Sequence, residues 1–283
     1  MLKKLILPLI LLLLSFVSLV VGVSDLSAGD LITWSMTEKQ LRTLLVSRIP
    51  RLVSLIIAGA GLSIVGLIMQ QLTRNKFVSP TTAGTMDSTR LGILVSMLLF
   101  SSAGMLTKAL LGFAFALAGT FVFMKILDKI KYKDVIFVPL VGLMFGSIVG
   151  SITTFFAYKY DLIQSINAWL FGDFSNIIKG RYELMYISIP AIIIAFLYAN
   201  RFTIAGMGED FSTNLGLKYK QVVNIGLAIV ALVTSVIVLT VGMLPFVGLI
   251  IPNIVTIYRG DNLKHSLPIT AMTGASFILL CDI

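Results

Sequence analysis

The sequence is poor in charged residues and in the side chains that form disulfides or bind transition metals. Only 12% of its 283 residues are Asp, Glu, Lys or Arg, against about 25% in ordinary soluble domains. It contains one cysteine, Cys281, and one histidine, His265. A disulfide framework is therefore excluded, and so is a metal or haem site built from these two residue types.

The sequence also lacks the common signatures of nucleotide-binding and hydrolytic sites. It contains no Walker A pattern G-x-x-x-x-G-K-[ST], no G-x-S-x-G and no H-E-x-x-H. Its long apolar stretches carry no carboxylate of the kind that relays protons in secondary transporters. We therefore expect no catalytic residues and no metal in this chain, and we expect the energy for any uphill transport to come from another subunit.

The longest stretch without a charged residue covers residues 221–258, which is 38 residues. As one helix it would be about 57 Å long, whereas the hydrocarbon core of a bilayer is roughly 30 Å thick. The stretch must therefore cross the membrane and turn back, and Gly242 and Pro245 mark a place for the turn. The second piece, residues 247–258, is short and is interrupted by a glycine and a proline. Such a segment must be sheltered by protein or line a cavity, which is typical of transport proteins.

Seven further charge-free stretches have about the length of a membrane span. The first is too long for the apolar core of a signal peptide, so we expect it to be the first span. The sequence thus predicts an all-α, polytopic membrane protein with about nine transmembrane helices in a single permease domain, residues 1–283. The seven stretches are residues 5–24, 52–73, 91–107, 109–124, 135–158, 184–200 and 266–281.

The basic residues are distributed unevenly between the predicted loops. With the N-terminus in the cytoplasm, 14 of the 22 Lys and Arg residues fall on the inner side and the other 8 on the outer side. This distribution obeys the positive-inside rule. The net charge of +9 is therefore explained by membrane orientation and gives no reason to expect binding to nucleic acid.

The inner loop of residues 201–220 has a sequence typical of a short helix with clear start and stop signals. Glu209 follows Gly208, and Leu215 and Gly216 close the segment. Acidic residues favour the first turn of a helix, and glycine favours its end. One interpretation is a capped surface helix that joins two spans. The other is a coupling helix that docks on a cytoplasmic motor protein.

This loop and six other segments, in the same order along the chain, resemble the permease subunits of bacterial iron-siderophore, haem and cobalamin ATP-binding-cassette importers, the FecCD-type family. Gly-Glu-x5-Leu-Gly at residues 208–216 resembles the coupling loop, and Arg48-x-Pro-Arg51 resembles a motif at the outer end of the second span. The other matches are a Gly-Ala-x-Leu…Met-Gln segment at 59–70, an inner loop at 75–84, Trp-x-x-Gly at 169–172, the glycine–proline segment at 242–252 and the span at 267–282.

The chain also departs from the family pattern. Asn253 stands where the family usually has His, and Thr256 stands where Arg is common. The family has ten spans, whereas nine are predicted here. The last apolar run is short and has Asp282 near its end, so we expect the C-terminus to be shortened.

The resemblance implies a set of partners. Two permease subunits, identical or similar, would enclose the transport path in the bacterial cytoplasmic membrane. Two cytoplasmic ATPases would hydrolyse ATP, and an extracellular substrate-binding protein or lipoprotein would deliver the cargo. The permease itself would be no enzyme and would bind no cofactor. The residues that would dock the ATPase are Gly208, Glu209, Leu215 and Gly216.

The resemblance also implies roles on the outer side and along the path. Arg48 and Arg51 would meet carboxylates of the binding protein, the alternative being that both arginines snorkel at the membrane surface. Trp169 and Gly172 would shape the outer mouth, although Trp169 could equally be an interfacial anchor. Three glycines spaced by four residues would lie at the path and the subunit interface, or would pack within the chain; they are Gly142, Gly146 and Gly150.

Ferric siderophores are the commonest cargo of the family, so we expect an iron-siderophore complex, and the sequence does not separate this from haem or cobalamin. The main alternative is an ion-coupled secondary transporter of a small organic solute. A membrane enzyme or scaffold is a third possibility, and the absence of clustered polar residues within the spans argues against an enzyme.

Overall fold

The computed structural model describes residues 2–21, 29, 37–100, 104–130, 136–167 and 172–283. Within them every regular element is helical, so the predicted all-α class is confirmed for this part of the chain. The helices are α1 (Leu2–Val20), α2 (Glu38–Thr73), α3 (Thr85–Leu99), α4 (Met105–Lys129), α5 (Phe137–Lys159), α6 (Ile163–Asn167), α7 (Ser188–Leu197), α8 (Ala199–Ala205), α9 (Glu209–Asn214), α10 (Tyr219–Val241), α11 (Val247–Arg259) and α12 (Leu263–Asp282).

Helix α2 forms the centre of the molecule. It contains 36 residues, about 54 Å of helix, and 78% of its apolar window is buried. Helices α10, α11 and α12 pack around it. Two of these contacts join backbone to backbone, because a Cβ atom on Gly59 would overlap the carbonyl oxygen of Gly274 and one on Gly66 would overlap that of Gly248.

Four helices in the described ranges are long and apolar enough to cross a membrane, namely α2, α4, α5 and α10. A bent pair of helical segments makes a fifth. Its first part is the turn Tyr182–Ile187 together with α7, its second part is α8, and the angle between the two parts is 63°. The apolar windows of α4 and α5 are only 28% buried, against 72% for α10. These two helices therefore present most of their apolar surface to lipid or to another subunit.

The predicted break in the longest apolar stretch is confirmed. Helix α10 ends at Val241, Gly242 has a φ of 96°, and α11 begins at Val247. Because Gly248 lies against Gly66, well inside α2, the break descends into the middle of the bundle. Gly242 and the first residues of α11, Val247 and Gly248, are buried against the chain's own helices, whereas Pro245 and Phe246 within the break are exposed.

Helix α3 carries two charged residues; with 15 residues it is not among the helices that are long enough to cross a membrane. This helix begins at Thr85 and includes Asp87 and Arg90, whose side chains are only 20% and 7% exposed. The two lie three residues apart, with 3.8 Å between Arg90 Nη1 and Asp87 Oδ1. An oppositely charged neighbour on the same helix face lowers the cost of burying each charge, so the charge-free stretch at 91–107 missed the true start of the helix.

We predict that Gly66→Ala destabilises the protein because the new methyl group would overlap the Gly248 backbone, which cannot move without displacing α11. Overpacking of this kind costs about 1–3 kcal/mol. The measurement is the thermal unfolding midpoint of the purified protein in detergent. Gly104→Ala is the matched control, since nothing lies within 4 Å of a Cβ there. A Gly66→Ala midpoint equal to that of the control would contradict the packing described here.

Candidate functional site

The predicted coupling segment forms a short exposed helix, α9. It starts directly after Gly208, whose φ of 113° is strained for any residue with a side chain. Glu209 occupies its first turn, where a negative charge interacts favourably with the helix dipole. The segment ends at Leu215 and Gly216, the latter with a φ of 76°. The predicted bounds of this helix are therefore confirmed.

Helix α9 is tied to α8 and presents an apolar ridge. The buried Ser212 hydroxyl donates to the carbonyl oxygens of Ile204, at 2.8 Å, and Gly208, at 2.6 Å. Three apolar residues in and beside this helix are more than half exposed and are together called the apolar ridge; they are Met207, Phe211 and Leu215. Of these only Leu215 was singled out from the sequence, although the four-residue spacing is a signal that could have found the other two.

A cavity of about 520 Å³ lies beside this segment. It is enclosed by the end of α2, the end of α8 and the link between α11 and α12. Lys76 Nζ lies 3.1 Å from Asp261 Oδ1 at its rim. Asn253, where the family usually has His, donates to the Lys76 carbonyl oxygen at 2.8 Å and so ties α11 to the loop after α2. We call this end of the molecule the α9 end.

The opposite end of α2 carries the two predicted docking arginines, and the structure gives them different surroundings. Arg48 is 8% exposed, and its guanidinium donates to the carbonyl oxygens of Leu19 and, at 3.0 Å, Val20. It thereby caps the C-terminal end of α1. Arg51 is 41% exposed and lies 2.6 Å from Asp282 at the end of α12. Only Arg51 is accessible from this end, which we call the Arg48 end.

A second cavity, of about 470 Å³, opens at the Arg48 end between α4, α10 and the segment of residues 173–181. Asp173 organises this segment, because its carboxylate accepts hydrogen bonds from Ser175 and Asn176 and its N–H donates to the Val241 carbonyl oxygen at 2.8 Å. The bonds from Ser175 and Asn176 hold the pKa of the Asp173 carboxyl below its usual range. The cations lining this cavity are Lys108 and Arg181.

Of the two residues predicted to shape the outer mouth, Trp169 lies outside the described residues. Gly172 lies at the Arg48 end, where a Cβ atom would overlap the side chain of Leu244 in the break between α10 and α11. Gly172 is therefore in contact with the broken segment.

The three glycines of α5 face the chain's own α3 and the loop before it. A Cβ on Gly142 would overlap the carbonyl oxygen of Thr82, and one on Gly146 would lie 2.8 Å from Asp87 Oδ2. A Cβ on Gly150 would lie 3.6 Å from Asp87 Oδ1. In the described conformation these glycines make room for intrachain contacts, and their role at a path or subunit interface stays a prediction.

A different face of α5 is open. It carries large apolar side chains that are more than 60% exposed, together with the exposed hydroxyls of Ser147 and Ser151. Both hydroxyls donate to the carbonyl oxygen four residues earlier, so they add little polarity to this face. The apolar residues are Met144, Ile148 and Phe155.

Comparison with known proteins gives a consistent result. Residues 10–283 match the FecCD transport family. The chain is 65% identical over 274 residues to the petrobactin import system permease protein YclN of Bacillus subtilis, covering 97% of this chain and 86% of that protein. It is 42% identical over 256 residues to the ferric-anguibactin transport system permease protein FatD of Vibrio anguillarum, covering 89% of this chain and 82% of that one.

A solved structure has a similar fold. It is described as an inward-facing conformation of a metal-chelate type ABC transporter, and it superposes with a TM-score of 0.80 over 98% of this chain and 87% of its own. The sequence identity is 21%, so this likeness concerns the fold alone.

Proposed function

The chain belongs to the FecCD transport family, and we propose that it is the transmembrane permease subunit of an ATP-binding-cassette importer that carries a ferric siderophore across the bacterial cytoplasmic membrane. The observation that carries this proposal is the 65% identity, over 97% of the chain, to a petrobactin import permease. A second relative is named for another siderophore, anguibactin. Ferric petrobactin is therefore the first cargo to test.

The proposed topology has nine spans in one permease domain, residues 1–283, with the N-terminus in the cytoplasm. The distribution of basic residues between the two ends supports it. Of the 22 Lys and Arg residues, 14 belong to the predicted inner segments, among them Arg74 and Lys76 at the α9 end, and 8 belong to the predicted outer segments, among them Arg51, Lys108 and Arg181 at the Arg48 end. This is the separation that the positive-inside rule predicts if the α9 end faces the cytoplasm.

We propose that the ATPase subunit docks on α9. The exposed ridge of Met207, Phe211 and Leu215 offers an apolar contact, and Glu209 beside it offers a charge. Gly208 and Gly216, both with positive φ, lie at the two ends of helix α9. In this arrangement ATP is bound and hydrolysed by the partner, and the permease holds no cofactor of its own.

The external binding protein is proposed to dock at the Arg48 end. Of the two predicted docking arginines Arg51 is the accessible one, and an arginine–carboxylate pair at a rim orients a partner and speeds its association. Arg48 supports this surface from below by holding the end of α1. Gly172 and the break near Leu244 lie at the same end, which is consistent with an outer mouth.

A second permease subunit, identical or similar, is proposed to cover the open face of α5. That face is apolar, and the window of this helix is only 28% buried within one chain. The rest of the open surface, on α4, would face lipid. Gly142, Gly146 and Gly150 would act indirectly, by seating α5 against α3 so that its open face is presented to the partner.

One observation favours the alternative of an ion-coupled secondary transporter. Asp87 is a largely buried carboxylate within α3, and intramembrane acids are typical of proton relays. Its neighbour Arg90, with Nη1 3.8 Å from Asp87 Oδ1, offers a simpler role, that of a counter-ion beside a buried carboxylate. The energy source of transport separates the two functions.

We predict that uptake of ferric petrobactin into proteoliposomes containing the permease pair and its ATPase requires ATP and is independent of proton and sodium gradients. Glu209→Lys and Gly216→Trp should each reduce uptake about tenfold or more, because the first reverses the charge in the first turn of α9 and the second places a large side chain at a position with φ of 76°. The measurement is uptake of ⁵⁵Fe-labelled petrobactin, delivered by its binding protein. Uptake that follows an imposed ion gradient and ignores ATP would instead establish the secondary transporter.

Glu38→Lys is the control for the charge reversal. Glu38 is exposed near the Arg48 end, far from α9, so this variant should retain ATP-dependent uptake. Co-purification of the ATPase with each variant shows whether docking itself is lost. If Glu209→Lys and Glu38→Lys transport equally well, α9 is not the coupling helix.

We also predict that the two arginines separate into different roles. Arg51→Ala should slow association of the binding protein up to about fivefold at low salt. It should also lower the unfolding midpoint, because the Asp282 carboxylate, only 13% exposed, loses its partner. Arg48→Ala should lower the stability by about 1–3 kcal/mol, because it leaves carbonyl groups at the end of α1 without a donor.

Association rates can be measured by surface plasmon resonance on permease held in nanodiscs. Lys39→Glu, an exposed change near the same end, controls for general electrostatic effects. Equal association rates for Arg51→Ala and the native permease at low salt would remove the docking role of Arg51. If the Arg48→Ala variant is as stable as the native permease, Arg48 does not stabilise the end of α1.

A further inference from the structure

The end of α2 touches the segment that leads into α9 at two glycines. The Gln71 side-chain oxygen lies so close to Gly206 that a Cβ there would overlap it. The Arg74 guanidinium lies against Gly208, with Nη1 only 2.9 Å from the position of a Cβ. Two side chains one turn apart on α2 therefore rest directly on the backbone of residues 206–208.

The same end of α2 also holds the link between α11 and α12. Gln71 Nε2 donates to the carbonyl oxygen of Asp261 at 3.3 Å. The Leu263 N–H, at the start of α12, donates to Thr203 Oγ1 of α8 at 3.1 Å. Gln71 thus contacts the α8–α9 segment with its oxygen and the α11–α12 link with its nitrogen.

Arg74 is held in an unusual backbone conformation. Its φ is 51°, in the left-handed region that residues with side chains seldom adopt. Its N–H caps α2 by donating to the carbonyl oxygens of Gln70 and Gln71. The helix therefore ends abruptly at Arg74, and the side chain projects onto Gly208 from a fixed position. Such strained residues are retained where the surroundings require a particular geometry.

The contact between the end of α2 and residues 206–208 is narrow and has open space beside it. The cavity of about 520 Å³ separates much of the end of α2 from α8 and from the α11–α12 link, and both Gln71 and Arg74 line it. Elsewhere α2 is close-packed, with its backbone against Gly248 and Gly274. A displacement of α9 can therefore reach α2 through these two side chains, while the cavity leaves room for the movement.

Helix α2 is a regular α-helix from Ile49 to Thr73, preceded by a π-helical turn at Leu44–Arg48. Arg51 and Arg74 lie near the two ends of this regular part, about 35 Å apart along the helix axis. The helix also touches the broken segment between these ends, at Gly66. A single buried helix thus joins the proposed docking surface for the binding protein, the broken segment and the proposed coupling helix.

We propose that Gln71 and Arg74 are positioning residues that transmit movement between α9 and α2. Through them the state of the ATPase is conveyed to the broken segment and to the Arg48 end, and arrival of the loaded binding protein is conveyed back. This inference rests on the proposed function. Coupling of this kind travels through contiguous contacts between rigid elements, which the contacts of Gln71, Arg74 and Gly66 supply.

The test uses the complete importer in nanodiscs, with its ATPase and with binding protein loaded with ferric petrobactin. The measured quantity is the ratio of the ATPase rate with loaded binding protein to the rate without it, together with ⁵⁵Fe uptake in proteoliposomes. The double variant Gln71→Ala, Arg74→Ala should lower this ratio about fivefold or more, the range typical of allosteric coupling. Arg74→Lys, which keeps the charge, should restore part of the ratio.

Lys220→Ala is the matched control, since Lys220 is an exposed cation at the same end and does not line the cavity. It should keep the native ratio. If the native complex shows no ATP-dependent uptake, the proposed function and this inference fail together. If the native complex transports and the double variant keeps its ratio within twofold, this inference alone is overturned.

The double variant could also lose the ATPase during purification. In that case Gln71→Glu and Arg74→Lys, which keep the size of each side chain, decide the matter. An assembled complex with a lowered ratio supports transmission. Loss of the ATPase from these two variants as well would show that the residues serve docking, and it would overturn the inference.

Discussion

The break between α10 and α11 imposes the strictest constraint on this fold. Its backbone leaves helical geometry at the edge of a largely apolar bundle, and lipid cannot satisfy the groups that are freed. The chain must therefore re-enter the bundle as helix α11, and the contact of Gly248 with Gly66 shows how closely α11 packs there. Any side chain at Gly66 would push α11 outward. The small residues of α2 are therefore a condition for the existence of the break.

This constraint places the other helices. Because α2 must lie against the break, it becomes the most buried helix, and α10, α11 and α12 take the positions around it. Helices α4 and α5 remain at the periphery with little burial. The exposed side of α5 is the natural consequence, and a second subunit is a physically sensible cover for it.

The sequence predicted the features that depend on local chemistry. The break follows from a stretch too long for one span and from Gly242 and Pro245, and α9 follows from Glu209 and Gly216. It did not predict the burial of Arg48, whose partners are main-chain carbonyl groups 28 and 29 residues away. Carbonyl groups carry no sequence signature. For such a residue, the amino-acid type shows the need for acceptors but does not show where they lie.

The start of α3 was missed for a related reason. Counting charge-free residues treats every charge as excluded from the span, whereas Asp87 and Arg90 lie on one face and stabilise each other's burial. The glycines of α5 were found by their spacing, which predicts a close approach but not the identity of the neighbour. The structure supplies that neighbour, because the space left by Gly146 is filled by the Asp87 carboxylate. Asp87, whose charge was missed, and Gly146, whose neighbour was not known, thus form one contact. Neither residue could be interpreted from the sequence without the other.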